Sequence, residues 1–181
     1  MVIEPFVPCP KHARMDVVRL QALADQALGE RYIDASACGQ MDTVVARASG
    51  CGSILGFIVF DVRNDRAELR TIVVDVDHQG RGVGSGLCRA VMKAHAKAAM
   101  RWWSPAWVHE GAVPADKLLR GLGLAPSFDV ENYWFEDSLA RGYDCPACGH
   151  PCRCTARIYE SLASTAARDF GDSPLRNRSH P

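Results

Sequence analysis

The sequence predicts an α/β (α+β) fold, a mixed sheet with helices on its faces, and three observations carry that prediction. Short β-branched runs separated by glycine and asparagine turns fill the region from Asp42 to Asp75. A glycine-dense loop, "HQGRGVGSG", then hands the last of these runs to an amphipathic helical stretch. Beyond it, a strand pattern, a short helical pattern closed by glycine and a further strand pattern complete the order ββ(β)–α–β–α–β.

Taken in order, "MVIEPFVP" reads as a first strand broken by Pro8 and Pro10. From Arg14 to about Ile33, Val17, Val18, Leu20, Leu23, Ala24, Ala27 and Leu28 recur at helical spacing. "DTVVARAS" and "SILGFIVFDV" are two strands around a turn at Gly50–Gly52, "VRNDR" is a second turn, and "AELRTIVVD" closes an antiparallel meander. A helix from about Gly82 to Met100 would bury Val83, Leu87, Ala90, Val91, Ala94 and Ala98 and turn Arg89, Lys93 and Lys97 to solvent. "WWSPAWVHE" holds a short strand, "PADKLLRGLGL" a short helix and "FDVENYWFED" the last strand. After Arg141 the chain becomes cysteine-dense, and beyond Glu160 it is polar. The expected organisation is a main domain over 1–140, a small C-terminal zinc knuckle over 141–159 and a flexible tail over 160–181.

Composition narrows the function classes. The chain has 181 residues, 48% hydrophobic and 23% charged, with a formal net charge of zero, so no global field draws it to nucleic acid or an anionic membrane. No run approaches the roughly 20 apolar residues of a spanning helix, and the N-terminus lacks the charged-then-apolar plan of a signal peptide. A cytosolic protein is expected, its eight cysteines free or metal-bound rather than disulfide-paired.

The glycine loop satisfies neither of two common phosphate motifs. A Walker loop requires glycine before lysine, and no glycine here precedes one. A dinucleotide fingerprint would demand glycine at Ser85 or at Leu87. What remains is Gln79-Gly80-Arg81-Gly82-Val83-Gly84, whose amides, with the positive end of the following helix, can cradle a pyrophosphate. A side chain at Gly82 or Gly84 is expected to stand between ligand and amide. The alternative is a flexible strand–helix turn that holds nothing.

Centred on "IVVDVDHQGRGVGSGL" and extending roughly from Asp42 to Phe135, the sequence resembles the GNAT superfamily of acyl-CoA-dependent N-acyltransferases. The resemblance implies a twisted mixed sheet with flanking helices and direct transfer of an acetyl or other acyl group from acyl-CoA to an amine in a ternary complex. It implies that the strand Leu69–Asp75 splays from its neighbour, that its backbone near Ile72 and Val74 pairs with the pantetheine arm, and that Gln79, Gly80, Arg81, Gly82, Val83, Gly84 and Ser85 wrap the pyrophosphate. It also implies a glutamate base at Glu68. By alternation, Glu68, Arg70, Ile72 and Val74 would share one face; the alternative for Glu68 is a solvated strand-end residue paired with Arg66 or Arg70. In the family's "Y-x-x-x-G-F" segment, this sequence has Leu119 for the acidic tyrosine and Leu124 for the phenylalanine. Tyr133 is the favoured replacement donor, with His109, Glu110 and Ser104 as others. His78 is a loop histidine within reach of phosphate, or one with no role. Trp102, Trp103, Trp107 and Trp134 are divided between core and acceptor groove. The acceptor is left open among a protein amine, a small-molecule amine and a modified nucleobase; no membrane partner is expected, and a homodimer is possible.

A second signal is Cys145-x-x-Cys148-x-x-x-Cys152-x-Cys154. Four thiolates around a "CPACG" knuckle match tetrahedral Zn²⁺ in a closed structural site. His150 as a substitute ligand, an iron–sulfur cluster and four unligated thiols are the alternatives. Cys9, Cys38, Cys51 and Cys88 read as small buried apolar residues. The cysteine element would either staple the C-terminus to the sheet or recognise a macromolecular acceptor. Arg153, Arg157, Arg168, Arg176 and Arg178 raise acylation of nucleic acid as one rival function. A non-catalytic binding module that lost its acid at Leu119 is the other.

Overall fold

The structure, a computed structural model, describes residues 1–7, 13–38, 41–48, 52–96 and 100–161. Pro8, Cys9, Pro10, Gly50, Cys51, Lys97, Ala98 and the tail arginines Arg168, Arg176 and Arg178 lie outside those residues. In chain order the elements are β1 (Val2–Pro5), α1 (Ala13–Leu28), β2 (Thr43–Arg47), β3 (Ile54–Arg63), β4 (Arg66–Val74), α2 (Val83–Ala94) and β5 (Arg101–Trp107), then α3 (Asp116–Gly121), β6 (Leu124–Val130), α4 (Phe135–Arg141) and β7 (Ala156–Ser161). They build one mixed sheet in the order β1-β2-β3-β4-β5-β7-β6, in which β4 and β5 are parallel and the other neighbours antiparallel. The mixed, helix-flanked sheet expected from the sequence is the fold observed.

Each face of the sheet carries its own core. One packs Ile58, Phe60, Leu69, Leu87, Val91, Leu119 and Tyr159 beneath α2 and α3; the other packs Leu20, Leu23, Phe57, Val59 and Val73 beneath α1. Arg47, only 2% exposed, ties α1, β1 and β2 together by a bidentate bond to Asp16 at 2.9 and 3.0 Å and a third to Glu4 at 2.9 Å. Such a pair is held by geometry, because each buried charge needs its partner.

Three sequence expectations need correction. First, β4 does not alternate evenly. Ile58 faces Ile72, while Phe60 faces Leu69 rather than Arg70, so Arg70 is the extra residue of a β-bulge. The bulge turns Glu68 onto the α1 face while Ile72 and Val74 stay on the α2 face; these residues do not share one face as counted. Second, "FDVENYWFED" is not one strand. The chain turns at 131–134, where Asn132 is left-handed (φ +54°), and α4 begins at Phe135 with Glu136 and Asp137 at its positive end. Third, the last strand of the sheet is not the one before the cysteines but β7 after them, which inserts between β5 and β6. The cysteine-rich run therefore lies inside the connection between two sheet strands, and Glu160 and Ser161 belong to β7.

α1 also stops earlier than its apolar spacing suggests. Gly29 (φ +91°) ends it, its amide bonding the Asp25 carbonyl at 3.1 Å. A β-carbon there would lie 2.1 Å from the Asp144 carbonyl oxygen, so glycine also permits the cysteine element to come close.

Candidate functional site

The sheet opens where β4 meets β5. Their parallel register runs for three pairs, Arg66↔Arg101, Ala67↔Trp102 and Glu68↔Trp103, and then stops. From Trp103 onward β5 pairs with β7 instead. Buried Ser104 sits in the apex of this fork, its hydroxyl donating to the Leu69 carbonyl at 2.8 Å.

The loop above the fork is pinned at its entry. The Asp75 carboxylate caps the turn Val76–His78 through the Asp77 amide (3.0 Å) and pairs with Arg19 of α1. The Asp77 amide, and after it the Arg19 charge, hold Asp75 below the ordinary carboxylate range. His78 lies 3.9 Å from the same carboxylate. Gln79 donates to the Val74 carbonyl at 3.1 Å, closing the loop onto the end of β4. Gly80 (φ +71°) and Gly82 (φ +81°) take left-handed conformations, and Gly82 caps α2. The first-turn amides of α2 have no intrahelical acceptor, and that turn holds no acidic residue, so its positive end faces outward uncompensated. Arg81 is exposed, whereas the Val83 side chain is buried, leaving its amide as what it can offer a ligand.

The two glycines face different surroundings. A β-carbon at Gly82 would meet nothing within 4 Å, so its glycine serves the backbone conformation. A β-carbon at Gly84 would touch Val74 Cγ2 at 3.5 Å, Leu118 Cδ2 at 3.7 Å and Ile72 Cγ2 at 3.9 Å. Gly84 thus faces the crevice between β4 and α3, not the concavity of the loop.

On the α1 face, Glu68 is the last paired residue before the fork, with its carboxylate 4.0 Å from Arg70 and Trp103 directly across. Burial pushes up the phenol of Tyr32, from the segment after α1, while Thr71 beside the bulge and Arg70 act against that. Tyr143 packs edge-to-face on Tyr32 at 4.9 Å and donates to Asp137 at 3.1 Å. Sequence reasoning missed both tyrosines, since nothing in "GERYID" or "RGYDC" marks a site without the fold.

Tyr133 lies in the turn after β6, edge-to-face with Trp134 at 4.8 Å, its amide donating to the Cys154 carbonyl at 3.1 Å. Cys154 is beside the Trp107 end of β5, about 13 Å of strand from the Trp103 end where Glu68 sits, so the two proposed catalytic residues are not brought together. His109 stacks on Trp107 at 4.6 Å, and Glu110 (φ +49°) occupies the tight turn that follows. Leu119 is fully buried. One turn before it, Asp116 accepts a 2.5 Å bond from Tyr159, whose phenol burial and Asp116 push up to about 12. Trp102 is core, whereas Trp107 and Trp134 line a pocket beside the cysteine element.

The four cysteines converge. Their sulfur atoms all lie within 4.8 Å of one another, with Cys145–Cys154 at 3.6 Å, Cys148–Cys152 at 3.9 Å and Cys148–Cys154 at 3.4 Å. Four sulfurs at about 2.3 Å from one tetrahedral ion would be about 3.8 Å apart, so the set fits a single Zn²⁺. A disulfide would bring two of them to about 2.05 Å. The Cys145–Gly149 turn is closed by two backbone bonds, and the Arg153 amide donates to Cys148 at 3.2 Å. Burial would raise Cys148, but that amide and the neighbouring thiols outweigh it and hold it below its ordinary value. His150 is bonded to the Tyr143 carbonyl at 3.1 Å and stands outside the sulfur set. Cys38 and Cys88 are buried among apolar side chains, as expected. Of the arginines named above, Arg157 is engaged by Asp129 at 2.7 and 2.8 Å. Among the described residues, no helix is long and apolar enough to cross a membrane.

Comparison with known proteins is consistent with this arrangement. The model of the Acetyltransferase (GNAT) family matches residues 18–124. Ard1 from Thermoplasma volcanium superposes with a TM-score of 0.63 at 20% identity, over 89% of this chain and 97% of that one. The ribosomal-protein-S18-alanine N-acetyltransferase from Escherichia coli gives 0.62 at 19% identity, over 94% and 99%. NAA60 from Arabidopsis thaliana, in complex with acetyl-CoA, gives 0.63 at 13% identity, over 88% and 96%. No curated protein matches the sequence.

Proposed function

Since the chain belongs to the acetyltransferase (GNAT) family, we propose that it transfers an acetyl group from acetyl-CoA directly to an amine bound on the α1 face of the fork. The observation that carries this reading is the end of β4–β5 pairing at Glu68↔Trp103, with a glycine-shaped helix N-terminus above the opening. In this reading the backbone of Ile72 and Val74 lines the path of the pantetheine arm. The amides of the Gln79–Ser85 loop and the positive end of α2 bind the pyrophosphate, with Arg81 beside them. Positioning in this groove supplies most of the rate.

Glu68 takes the proton that the amine loses, directly or through one water, and the neutral nitrogen attacks the thioester carbonyl. The C–N bond forms, the C–S bond breaks, and the CoA thiolate takes up the second proton that the acylated nitrogen sheds, leaving as the thiol. Ser104 at the apex keeps its hydroxyl on the Leu69 carbonyl. Tyr133 is the weaker candidate after the structure, since the Cys154 carbonyl holds it at the far end of β5. Among the similar structures the ribosomal-protein-S18-alanine N-acetyltransferase acts on a protein amine and the aminoglycoside 6'-acetyltransferase type Ii on a small-molecule amine, so this reading takes either class of acceptor. We further propose that Cys145, Cys148, Cys152 and Cys154 hold a structural Zn²⁺, supported by sulfur separations suited to one ion.

Calorimetric titration with acetyl-CoA and with coenzyme A tests the cofactor half. Micromolar binding to the unaltered protein and none to Gly82→Trp, with zinc content unchanged, is the expected result. Loss of zinc along with binding would mean that position 82 serves folding rather than the ligand.

A further inference from the structure

The cysteine element stands beside an open pocket. Leu28, Tyr32, Trp107, Trp134, Tyr143 and Pro146 line a small open cavity of about 80 Å³, and Cys145, Cys152 and Cys154 complete its wall. No Asp, Glu, Lys or Arg side chain lines it, so an apolar group would find matching surface there.

The pocket lies on the α1 side of the sheet. Tyr32 lines it, its ring edge meets Tyr143 at 4.9 Å, and Thr71 of β4 beside the bulge acts on its phenol. Trp107 belongs both to β5 and, beside Cys154, to the pocket wall. Arg141 fastens the junction. Its guanidinium lies 5.4 Å from the Tyr32 ring centre and 5.1 Å from that of Tyr143, and it also donates to the Tyr32 carbonyl. With Asp144 closing over Gly29, the cysteine run is built against the segment that would border a bound amine.

We propose that metal bound by the four cysteines holds this aromatic pocket in shape, and that the pocket receives an apolar or aromatic substituent of the amine acceptor. The metal site then selects the acceptor and leaves the cofactor loop alone. The inference rests on reading the fork as the transfer site and the cysteines as a metal site. It places the metal's effect on one side of the sheet, where a general staple would affect both.

The test uses the full chain, zinc-loaded and chelator-stripped, with phenethylamine, isoamylamine, ethanolamine and spermidine as probes. Binding is read by quenching of tryptophan fluorescence, since Trp107 and Trp134 line the pocket, and coenzyme A affinity is read separately by calorimetry. Zinc-loaded protein should bind the two apolar amines best. Stripping zinc, or Cys148→Ser, should weaken them about 10- to 100-fold, the loss for exposing one ring-sized apolar group, and leave coenzyme A affinity within about twofold. Trp134→Leu should keep its zinc and lose the preference for phenethylamine over isoamylamine. The proposal is overturned if no amine changes the fluorescence, if spermidine or ethanolamine binds best, if zinc removal leaves amine affinity intact, or if amine and coenzyme A affinities collapse together. Zinc-dependent amine binding without any coenzyme A binding would sustain the pocket and remove the acetyltransferase reading.

Discussion

Gly84→Ala separates the stability of the glycine loop from its ligand chemistry, because the two should move in opposite directions. Gly84 is the second residue of α2 and has no left-handed requirement, unlike Gly80 and Gly82. Its new methyl would make ordinary contacts of 3.5–3.9 Å with Val74, Leu118 and Ile72. Losing glycine's freedom in the unfolded chain at a compatible site stabilises by about 0.4–1 kcal/mol. For a chain of this length that is a rise of about 1–4 °C in Tm. The same methyl occupies the crevice between β4 and α3 where the cofactor arm is proposed to run. Intrusion into a fitted space of that kind costs about 1–3 kcal/mol, or roughly 5- to 150-fold in affinity. Thermal melts without ligand, paired with calorimetric titration of coenzyme A, measure both quantities on one preparation. A more stable variant that binds coenzyme A as well as the parent would refute the assignment of that crevice. A less stable variant would refute the geometry from which the sign was worked.

Three further outcomes follow from other parts of the molecule. Glu68→Gln should lower kcat/KM by about 10²-fold or more with Tm little changed, since a base is lost and the side-chain shape is kept; unchanged turnover across pH would assign the proton to another group. Arg47→Met removes the buried guanidinium that Asp16 and Glu4 share, which costs about 3–5 kcal/mol and should lower Tm by about 6–20 °C, while a small shift would mean that the two carboxylates do not depend on it. Asp75 titrates lower in the folded chain than in the unfolded one, so its contribution is present above the ordinary carboxylate pKa of about 3.9 and is lost as pH falls through the folded value. Asp75→Asn should therefore be less stable than the parent near neutrality, and the difference should shrink as pH falls below the folded value, as urea midpoints across the acid range would show.

The parts of this architecture visible in the sequence are those written in local patterns. The meander of β2, β3 and β4 follows from β-branched runs between turns, and the loop at Gln79–Ser85 from glycines at a strand–helix junction. The bulge at Arg70 is invisible to counting by twos, because one extra residue reverses the facing of everything before it. That is why Glu68 was counted onto the wrong side. β7 was missed because "TARIYES" directly follows the cysteines, and its place between β5 and β6 depends on pairing with distant partners on both edges. The cysteine spacing disclosed a set that could hold a metal, whereas its position against Tyr32 and Trp107 depends on Gly29 and Arg141, which no local pattern connects to it.

The strand order β5-β7-β6 also bears on how the chain reaches its fold during synthesis. Trp103–Trp107 and Leu124–Val130 are both made before the strand that joins them, and each leaves the ribosome with an edge awaiting Ala156–Ser161. Until that segment emerges, the two halves of the sheet cannot be united, and these edges remain open to pairing with another chain. The four cysteines emerge just ahead of it, so the metal proposed for them could be gathered before the sheet is closed. A chain stopped between Cys154 and Ala156 would keep its four cysteines and its glycine loop and still be left with two unmatched edges.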